Sequence, residues 1–383
     1  MQTIAVVGAG LGGLVLARTL QQHGREVVVF ERDASRGARK QGGLLDMHQE
    51  SGQWALATAG LRDEFRKLIV PQGEDTRVMN KHGSLLWDEI SDPAAMHRPE
   101  VERQALRDLL IDALKPDTIR WDSRLTGIEP GAIPQGGHLL RFADGTAFSA
   151  DVVVGADGAN SGVRPLLTDA RPAYTGVSFV EIGIADAARR HPACAALVGS
   201  GSLFALDDNM GILAKHGGDG CIRIYAAFRV PLGGLSGRGL HLDGVSPSAA
   251  RQAIAQQFAG WAPELIALIM ASDDGHHVRP LDALPVGLRW PSRPGLTLLG
   301  DAAHLMSPFA GAGANMAMQD GVELALALVR ESDADAAIAG YEREMFIRAE
   351  QAARQSAQGL DICIAENGAE RTAQMFRGFP LAA

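Results

Sequence analysis

The first thirty residues alternate between apolar runs and a glycine-rich turn. Residues 3–7, TIAVV, form a short apolar run that ends at Gly8. Apolar residues then recur with helical spacing from Leu11, and residues 26–30 form a second strand-like run. The pattern predicts a strand, a tight turn, a helix and a second strand, which together form a unit of a parallel α/β sheet.

Two later apolar runs are each followed by a glycine and an acid. Residues 152–155 precede an Asp-Gly pair at 157–158, and residues 295–299 precede a Gly-Asp pair at 300–301. Both runs have the composition of buried strands, and an apolar helix is predicted to begin within the glycine-rich segment 311–315. The same kind of turn is therefore predicted at three places along the chain.

The middle of the chain has a different pattern. Short segments with alternating polar and apolar residues between 172 and 231 predict an antiparallel sheet, to which residues 76–87 are expected to add strands. Two helices are predicted beyond this sheet, over residues 248–271, with Ser246 or Ser248 as the N-cap, and over residues 334–366.

Composition and charge narrow the function classes. The 383 residues, of which 46% are apolar and 21% charged, are enough for two or three domains. A net charge of −9 argues against a nucleic-acid partner, and no apolar run is long enough to span a membrane. The N-terminus has no signal-peptide pattern, and the three cysteines have neither disulfide nor metal-ligand spacing. We expect a cytoplasmic protein without a metal site, either a monomer or a weak homo-oligomer.

The turn after the first run fits a dinucleotide-binding fingerprint. Gly8, Gly10 and Gly13 match G-x-G-x-x-G, which provides a sharp turn, close approach to a pyrophosphate, and close packing of helix on strand. The helix start at Leu11 presents free N–H groups to phosphates. Glu31 ends the second strand, where a carboxylate accepts hydrogen bonds from ribose hydroxyls and repels a 2′-phosphate. The site is predicted to bind FAD or NAD, the alternative being a tight turn with no ligand.

The two later glycine–acid pairs favour FAD over NAD. Asp157 fits a second approach of backbone to the cofactor, or else an Asx-type cap on a turn. Asp301 lies just past a strand end, where ligands bind in α/β sheets, and would accept a hydrogen bond from a ribityl hydroxyl. Its alternative role is to cap a core helix. The helix start near Gly313 carries partial positive charge and would stabilise a reduced flavin.

These segments, in this order and spacing, resemble the single-component FAD-dependent aromatic hydroxylases, and within them the tetracycline-inactivating flavin monooxygenases. The most specific matches are QGGLLDMHQESGQ (41–53), RPEVERQALRDLLIDAL (98–114), GDAAHLMSPFAGAGAN (300–315) and YEREMFIRAEQAA (341–353). The resemblance implies an α/β fold of the para-hydroxybenzoate hydroxylase type. That fold comprises a Rossmann-like FAD-binding domain (1–71, 99–171 and 278–330), a mainly antiparallel substrate domain (72–98 and 172–277) and a C-terminal bridging helix (331–383).

The resemblance also implies roles for individual residues, none of them catalytic. The side chains implied to contact FAD are Glu31 and Arg32 at the adenosine, Arg103 near the ribityl–phosphate region, Asp46, and Asp301 at the ribityl chain. Arg39 matches a position associated with NADPH. The loop implied to hold the pyrimidine edge of the ring contains Pro308, Gly311, Ala312, Gly313, Ala314 and Asn315, with Ala312 in place of a common polar residue. Taken alone, Arg39 and Arg103 would be solvated surface charges.

The implied reaction is hydroxylation of a polycyclic or phenolic small molecule, such as tetracycline or a related polyketide. It consumes NADPH or NADH and O2 and proceeds through a flavin C4a-hydroperoxide, so the cofactor carries the chemistry and no catalytic dyad is needed. The alternatives are an FAD-dependent dehydrogenase or reductase of the same fold, and a non-catalytic protein that sequesters a polycyclic ligand.

The substrate positions depart from the family pattern. Where tetracycline-inactivating enzymes hold their substrate with a Gln, an Arg and a His, this chain has Glu181, Ser202 and Arg223. Phe309 is a further candidate for substrate contact. Glu181 and Arg223 are expected either to pair with each other or to bind different groups of the substrate.

Overall fold

Five short apolar strands form the parallel sheet that the sequence predicts. A computed structural model describes residues 2–39, 42–70, 75–91, 97–131, 137–242 and 244–378. The strand order is Leu296–Leu298, Val152–Gly155, Ile4–Val7, Val27–Phe30 and Ile119–Arg120, with each adjacent pair parallel. The strand Ile4–Val7 is buried at every position, as expected for the interior of a parallel sheet covered on both faces.

The chain divides into two units. Residues 1–69, 101–173 and 283–356 form the first unit, and residues 70–100, 174–282 and 357–383 form the second. Besides the parallel sheet, the first unit contains an antiparallel sheet of Leu125–Pro130, His138–Phe142 and Ala147–Ala150. Its described helices and single helical turns are Leu11–Gln22, Gln49–Gln53, Trp54–Thr58, Arg62–Arg66, Arg103–Asp112, Arg164–Leu166, Asp301–His304, Pro308–Ala310 and Gly313–Arg330. The strands Leu44–Asp46, Glu100–Glu102 and Ile69–Val70 form another small sheet.

Two helices of the first unit cross at glycines. A Cβ on Gly12 would lie 2.5 Å from the carbonyl oxygen of Ala317, and one on Gly321 would lie 2.5 Å from that of Gly12. Helix Leu11–Gln22 therefore meets helix Gly313–Arg330 backbone to backbone. This close packing positions the starts of both helices within the first unit.

The second unit is built on a seven-stranded sheet. Its order is His277–Ala283, Ala173–Ile184, Ile222–Arg229, Met210–His216, Ser202–Asp207, Thr76–Met79 and Leu85–Glu89, so residues 76–87 add strands as predicted. The sheet also takes in His277–Ala283, although the sequence analysis assigned residues from 278 onward to the FAD-binding domain. The described helices of this unit are Ala187–Arg190, Pro192–Val198, Gly234–Gly237, Pro247–Gln257, Pro263–Met270 and Gly368–Phe376.

One helix prediction was wrong. The single helix expected over residues 248–271 is two helices, Pro247–Gln257 and Pro263–Met270. Gly260 between them has φ of +88°, and Pro263 lacks the N–H that a continuous helix would need. Of the two candidate caps, Ser246 is the one observed, since its Oγ accepts from the Ala249 N–H at 3.3 Å.

The long C-terminal helix is present as Ala334–Cys363, three residues shorter than predicted. It begins among residues assigned to the first unit and ends among those of the second. A further helix, Gly368–Phe376, follows it and was not predicted.

Candidate functional site

Three turns lie at one edge of the parallel sheet. The strands Ile4–Val7, Val152–Gly155 and Leu296–Leu298 are neighbours and parallel, so their carboxyl ends meet at that edge. The fingerprint turn, the Asp-Gly segment and the Gly-Asp turn each follow one of these ends. Segments separated by more than a hundred residues therefore converge where open α/β sheets bind ligands.

The fingerprint turn is compact at two of its glycines. Gly8 has φ of +109°, and a Cβ there would lie 2.3 Å from the carbonyl oxygen of Ala156. A Cβ on Gly13 would lie 2.4 Å from the oxygen of Gly8. These two glycines allow the sharp turn and the close helix packing that the fingerprint predicts.

Gly10 is different because neither its conformation nor its neighbours require glycine. Its φ of −79° and ψ of 175° suit any residue, and a Cβ would meet only the Ala156 oxygen at 4.0 Å. The helix that follows from Leu11 has no side-chain cap and no acid in its first turn. The open space at Gly10 and these uncapped N–H groups fit a pyrophosphate at this turn.

We predict that Gly10→Ala weakens FAD binding and leaves the apoprotein stable. The added methyl group enters the space left for the pyrophosphate, which should raise the FAD dissociation constant about 10-fold or more. Gly12→Ala is the matched control, since its methyl group clashes with the Ala317 backbone and should cost about 1–3 kcal/mol of folding free energy. FAD titration and chemical denaturation of both variants measure the two effects. Unchanged FAD affinity in Gly10→Ala would contradict the placement of the pyrophosphate.

Glu31 holds the fingerprint turn from the neighbouring strand. Its Oε2 accepts from the Ala9 N–H at 2.7 Å, its Oε1 accepts from the Asp33 N–H at 2.9 Å, and the residue is only 7% exposed. Arg32 next to it is exposed. Arg39 is 56% exposed at its side chain and approaches Asp33 at 3.5 Å, which is a weak surface pair.

A buried arginine that the sequence analysis did not select lies beside this turn. Arg107 is 1% exposed, and its guanidinium donates to the carbonyls of Ala9 at 3.2 Å and Arg36 at 3.1 Å. Its Nη2 has no hydrogen-bond partner among the described residues. Arg103, the predicted candidate, lies one helical turn earlier and begins the helix Arg103–Asp112. The spacing of four residues in RQALR was the signal that both arginines share one helix face.

The Asp-Gly and Gly-Asp segments are joined by Arg164. Its Nε donates to the Ala302 carbonyl at 2.7 Å, and its Nη2 donates to the carbonyls of Ala159 at 2.8 Å and Asp301 at 3.2 Å. Asp157 accepts from the Gly162 N–H at 2.7 Å, which is the capping role given as its alternative. Burial raises the pKa of Asp157 despite these bonds.

The carboxylate of Asp301 is exposed and available to a ligand. No hydrogen bond or ion pair within the described residues involves that side chain, and it caps neither neighbouring helix. Gly300 before it has φ of +59° and ψ of −144°, a conformation that glycine adopts without strain. The turn therefore exposes an unused acceptor at the edge where the three segments meet.

A largely buried ionic network stabilises the Gly-Asp turn. Asp320, which is fully buried, accepts from the Gly300 N–H at 3.1 Å and lies 2.6 Å from His304 Nε2. Its other oxygen accepts from Arg348 at 3.2 Å, and Arg348 also lies 2.5 Å from Glu323. Burial opposes the charge on Asp320, but His304 and Arg348 lower its pKa overall. Burial likewise opposes the charge on His304, and attraction to Asp320 raises its pKa. Neither Asp320 nor Arg348 was selected from the sequence.

The predicted ring-binding loop is ordered around Asn315. This buried side chain donates from Nδ2 to the Asp46 carbonyl at 2.8 Å and accepts at Oδ1 from the His48 N–H at 2.9 Å. Gly311 has φ of +62°, and a Cβ there would lie 2.9 Å from Asp46 Oδ2. Ala312 precedes the uncapped start of helix Gly313–Arg330, which also contains Ala314, and the single turn Pro308–Ala310 precedes both. The loop and Asp46 thus lie together, as one cofactor edge would require.

The candidate substrate residues fall in different places. Glu181, Ser202 and Arg223 lie on the seven-stranded sheet of the second unit, while Phe309 belongs to the first. Arg223 Nη1 donates to Glu181 Oε1 at 2.8 Å, so of the two expected arrangements the structure shows the ion pair. Tyr225 lies opposite Glu181 in the strand register, and burial together with the Glu181 charge raises its pKa.

No group of three His, Cys, Asp or Glu side chains in the described ranges is arranged to hold a metal ion. Among the helices that the structure describes, none has the length and apolarity to cross a membrane. Gln41 of the segment 41–53 lies outside the described residues.

Comparison with known proteins gives consistent matches over the chain. A family model described as FAD binding domain matches residues 1–200 and 291–356. A monooxygenase, asqM, of Emericella nidulans is 29% identical, with 96% of each chain covered, and the 3-amino-4-hydroxybenzoate 2-monooxygenase PtmB3 of Streptomyces platensis is 29% identical over 92% of this chain and 86% of the relative. The structure of Klebsiella pneumoniae HpxO with FAD and uric acid has a TM-score of 0.80 at 22% identity, covering 98% of this chain and 92% of that one. Tetracycline destructase Tet(55) has a TM-score of 0.73 at 18% identity, covering 99% and 95%.

Proposed function

The chain belongs to the FAD binding domain family and is an FAD-dependent monooxygenase of the aromatic hydroxylase type, and on this premise we propose that it uses NADPH and O2 to place one oxygen atom on a polycyclic or phenolic small molecule. Tetracycline or a related polyketide is the substrate class that the family resemblance favours. The observation that carries the proposal is the convergence of three separate turns at one sheet edge, with an unused carboxylate at Asp301. No catalytic side-chain dyad is needed at such a site.

The proposal assigns the cofactor to the first unit. The uncapped helix start at Leu11 would hold the pyrophosphate, Glu31 the adenosine ribose, and Asp301 a ribityl hydroxyl. The uncapped start of helix Gly313–Arg330 would face the pyrimidine edge of the ring. Bound FAD supplies the redox chemistry with NADPH and O2. The protein's part is to hold these groups in place and to exclude water.

The substrate is assigned to the seven-stranded sheet of the second unit. Glu181, Ser202 and Arg223 lie on strands whose alternate residues enter that unit's core, so their side chains occupy the opposite face. Arg39 is exposed and only weakly paired. We assign it to the 2′-phosphate of NADPH, because a bound phosphate needs a cation to neutralise its charge.

The test is incubation of the FAD-loaded protein with tetracycline, related polycycles and a set of phenols, under isotopically labelled O2. We expect substrate-stimulated NADPH oxidation and one labelled oxygen in a product, measured by mass spectrometry. Arg39→Ala should raise the KM for NADPH several-fold and leave that for NADH unchanged, because only NADPH carries the phosphate. Turnover that continues without O2 would favour a dehydrogenase, and ligand recovered unchanged would favour a sequestering protein.

A further inference from the structure

A histidine lies next to the loop that the proposed function assigns to the ring of FAD. His48 is 8% exposed, and its Nε2 lies 3.1 Å from Oδ2 of Asp46. The same oxygen would lie 2.9 Å from a Cβ on Gly311, which follows the single turn Pro308–Ala310 of that loop. The carboxylate of Asp46 therefore lies against both the imidazole and the loop.

Two contacts fix the backbone around His48. Asn315, which is uncharged, accepts from the His48 N–H at 2.9 Å and donates to the Asp46 carbonyl at 2.8 Å. The Gln53 N–H donates to the His48 carbonyl at 3.0 Å, an i→i+5 bond that makes residues 49–53 a π-helical turn. Turns of this kind are rare and occur frequently at functional sites. The position of the imidazole next to Asp46 is thus determined by the surrounding structure.

The two ring nitrogens of His48 have different surroundings. A carboxylate only accepts hydrogen bonds, so Nε2 carries the proton of the neutral imidazole and donates to Asp46. Nδ1 is then an acceptor, and it lies 4.0 Å from Oε1 of Glu50, whose side chain is 79% exposed. Nδ1 is therefore the nitrogen to which solvent can deliver a second proton, next to the exposed acid.

Two acids lie beside the imidazole of His48. Among the described residues, only Asp46 and Glu50 have a carboxylate at ion-pair distance from it. The strand Glu100–Glu102, which neighbours the strand that ends at Asp46, carries two further acids, and Arg103 follows it. The short helix after the π-helical turn has no titratable side chain. A proton on His48 would therefore be stabilised by Asp46 and, more weakly through solvent, by Glu50.

We propose that His48 takes up a proton from solvent when the bound FAD is reduced and releases it when the FAD is reoxidised. The proposal rests on the placement of the ring under the proposed function. His48 does not touch the reacting atoms and acts through Asp46, so it is a positioning residue for charge and not a catalytic residue.

The reason for the uptake is charge balance at the loop. Hydride transfer from NADPH adds two electrons and one proton to the bound FAD and leaves NADP⁺, so one negative charge is added at the ring. The start of helix Gly313–Arg330 offsets only roughly half a charge, and the carboxylate of Asp46 adds to the excess. One proton from solvent on Nδ1 of His48 balances the remainder.

The test is the midpoint potential of the bound FAD between about pH 5 and 8, the range in which histidine titrates. Reduction with uptake of one proton changes the equilibrium constant tenfold per pH unit, which is about 30 mV for a two-electron couple. A second proton, on His48, makes the change a hundredfold, or about 60 mV. We expect the steeper slope over part of this range in the native protein and the shallower slope throughout in His48→Gln. Anaerobic titration monitored by the absorbance of FAD measures both.

His23→Gln is the matched control. This histidine belongs to the same unit, but it follows the end of helix Leu11–Gln22 that is opposite the fingerprint turn, and its Nδ1 lies 2.9 Å from the Thr19 carbonyl. Its replacement should leave the slope of the native protein unchanged. Asp46→Asn should move the steep part of the curve to lower pH, because the protonated His48 loses the carboxylate beside it.

A direct measurement of protons decides the question even if His48→Gln loses its FAD. Native protein reduced with one equivalent of NADPH in lightly buffered solution should take up about one proton per FAD at the pH where its slope is steepest, as measured with an indicator dye. The absorbance of the reduced cofactor should be that of its anionic form. Absence of uptake, a neutral reduced cofactor, or equal slopes in the native protein and His48→Gln would overturn the inference.

These results are distinguishable from a failure of the proposed function. A slope that depends on His48, in a protein that incorporates no labelled oxygen, retains this inference and contradicts the proposed function. A protein that oxygenates its substrate and has the same slope with and without His48 does the reverse.

Discussion

Asp301→Ala protein should purify colourless and poor in FAD. The native carboxylate makes no hydrogen bond or ion pair among the described residues, so its removal costs the fold only the longer-range attraction to Arg164 and His304. A ribityl hydroxyl left without its acceptor should raise the FAD dissociation constant on the order of 100-fold, since a buried hydrogen bond to a charged group is worth about 1.5–3 kcal/mol. The flavin absorbance of purified protein and titration of the apoprotein with FAD measure this loss.

Two further variants sharpen the Asp301 experiment. Asp301→Asn keeps an oxygen acceptor and should recover part of the FAD affinity. Asp169→Ala removes an exposed acid of the same unit and should remain fully yellow. Full flavin occupancy in Asp301→Ala, with a melting temperature equal to that of the native protein, would exclude Asp301 from the FAD site.

The local parts of the site could be predicted from the sequence because they obey local rules. A sharp turn needs Gly8 at positive φ, and Glu31 directly follows the second strand, so spacing alone located both. The run before Asp301 similarly marked a buried strand end. None of these inferences used a stretch longer than residues 8–31, over which the pattern of strand, turn, helix and strand can be recognised locally.

The supports of the site could not be predicted because their partners are remote. Arg164 reaches the Asp301 carbonyl across 137 residues, and Arg107 reaches Ala9 across 98. Asp320 looked like one more polar position on an apolar helix, since no periodicity distinguishes a buried acid with partners from an exposed one. Only the packing of Gly300, His304 and Arg348 around it identifies its role.

The charged residues on the seven-stranded sheet were also only partly predictable from the sequence. The sequence identified Glu181 and Arg223 as candidates but left open whether they paired, because pairing depends on strand register. Arg279, whose Nε lies 3.0 Å from Glu181 Oε2, was missed because its strand was assigned to the other domain. Short alternating strands carry a weak pattern, so an edge strand next to a domain boundary is easily misassigned.

Asp320→Ala should be the most destabilising of these changes. Its removal leaves the buried His304 without an acid partner and Arg348 with Glu323 alone, and deleting one partner of a buried ion pair costs about 3–5 kcal/mol. The Gly300 N–H also loses its acceptor, so the Gly-Asp turn loosens and FAD affinity falls with stability. Chemical denaturation of the apoprotein measures the first effect. A loss below about 1 kcal/mol would mean that the network contributes no more than a surface pair.

Asp320→Asn tests the charge separately from the shape, through its pH dependence. Asp320 has a lowered pKa in the folded protein. Its contribution to the free energy of unfolding is therefore present above about pH 4 and is lost as the pH falls through that lowered value. His304 has a raised pKa, so its contribution is complete below about pH 6.5 and is lost as the pH rises through the raised value. The native protein should therefore exceed the Asn variant in stability most between about pH 4 and 6.5, and the gap should narrow at higher pH. In the variant the acid that raises the pKa of His304 is gone and burial lowers it, so its stability should instead rise with pH over the range where His304 loses its proton. Denaturation at about pH 5.5, 7 and 9 measures how the stability of each protein changes with pH. Parallel curves for the two proteins would show that the charges of His304 and Asp320 do not interact.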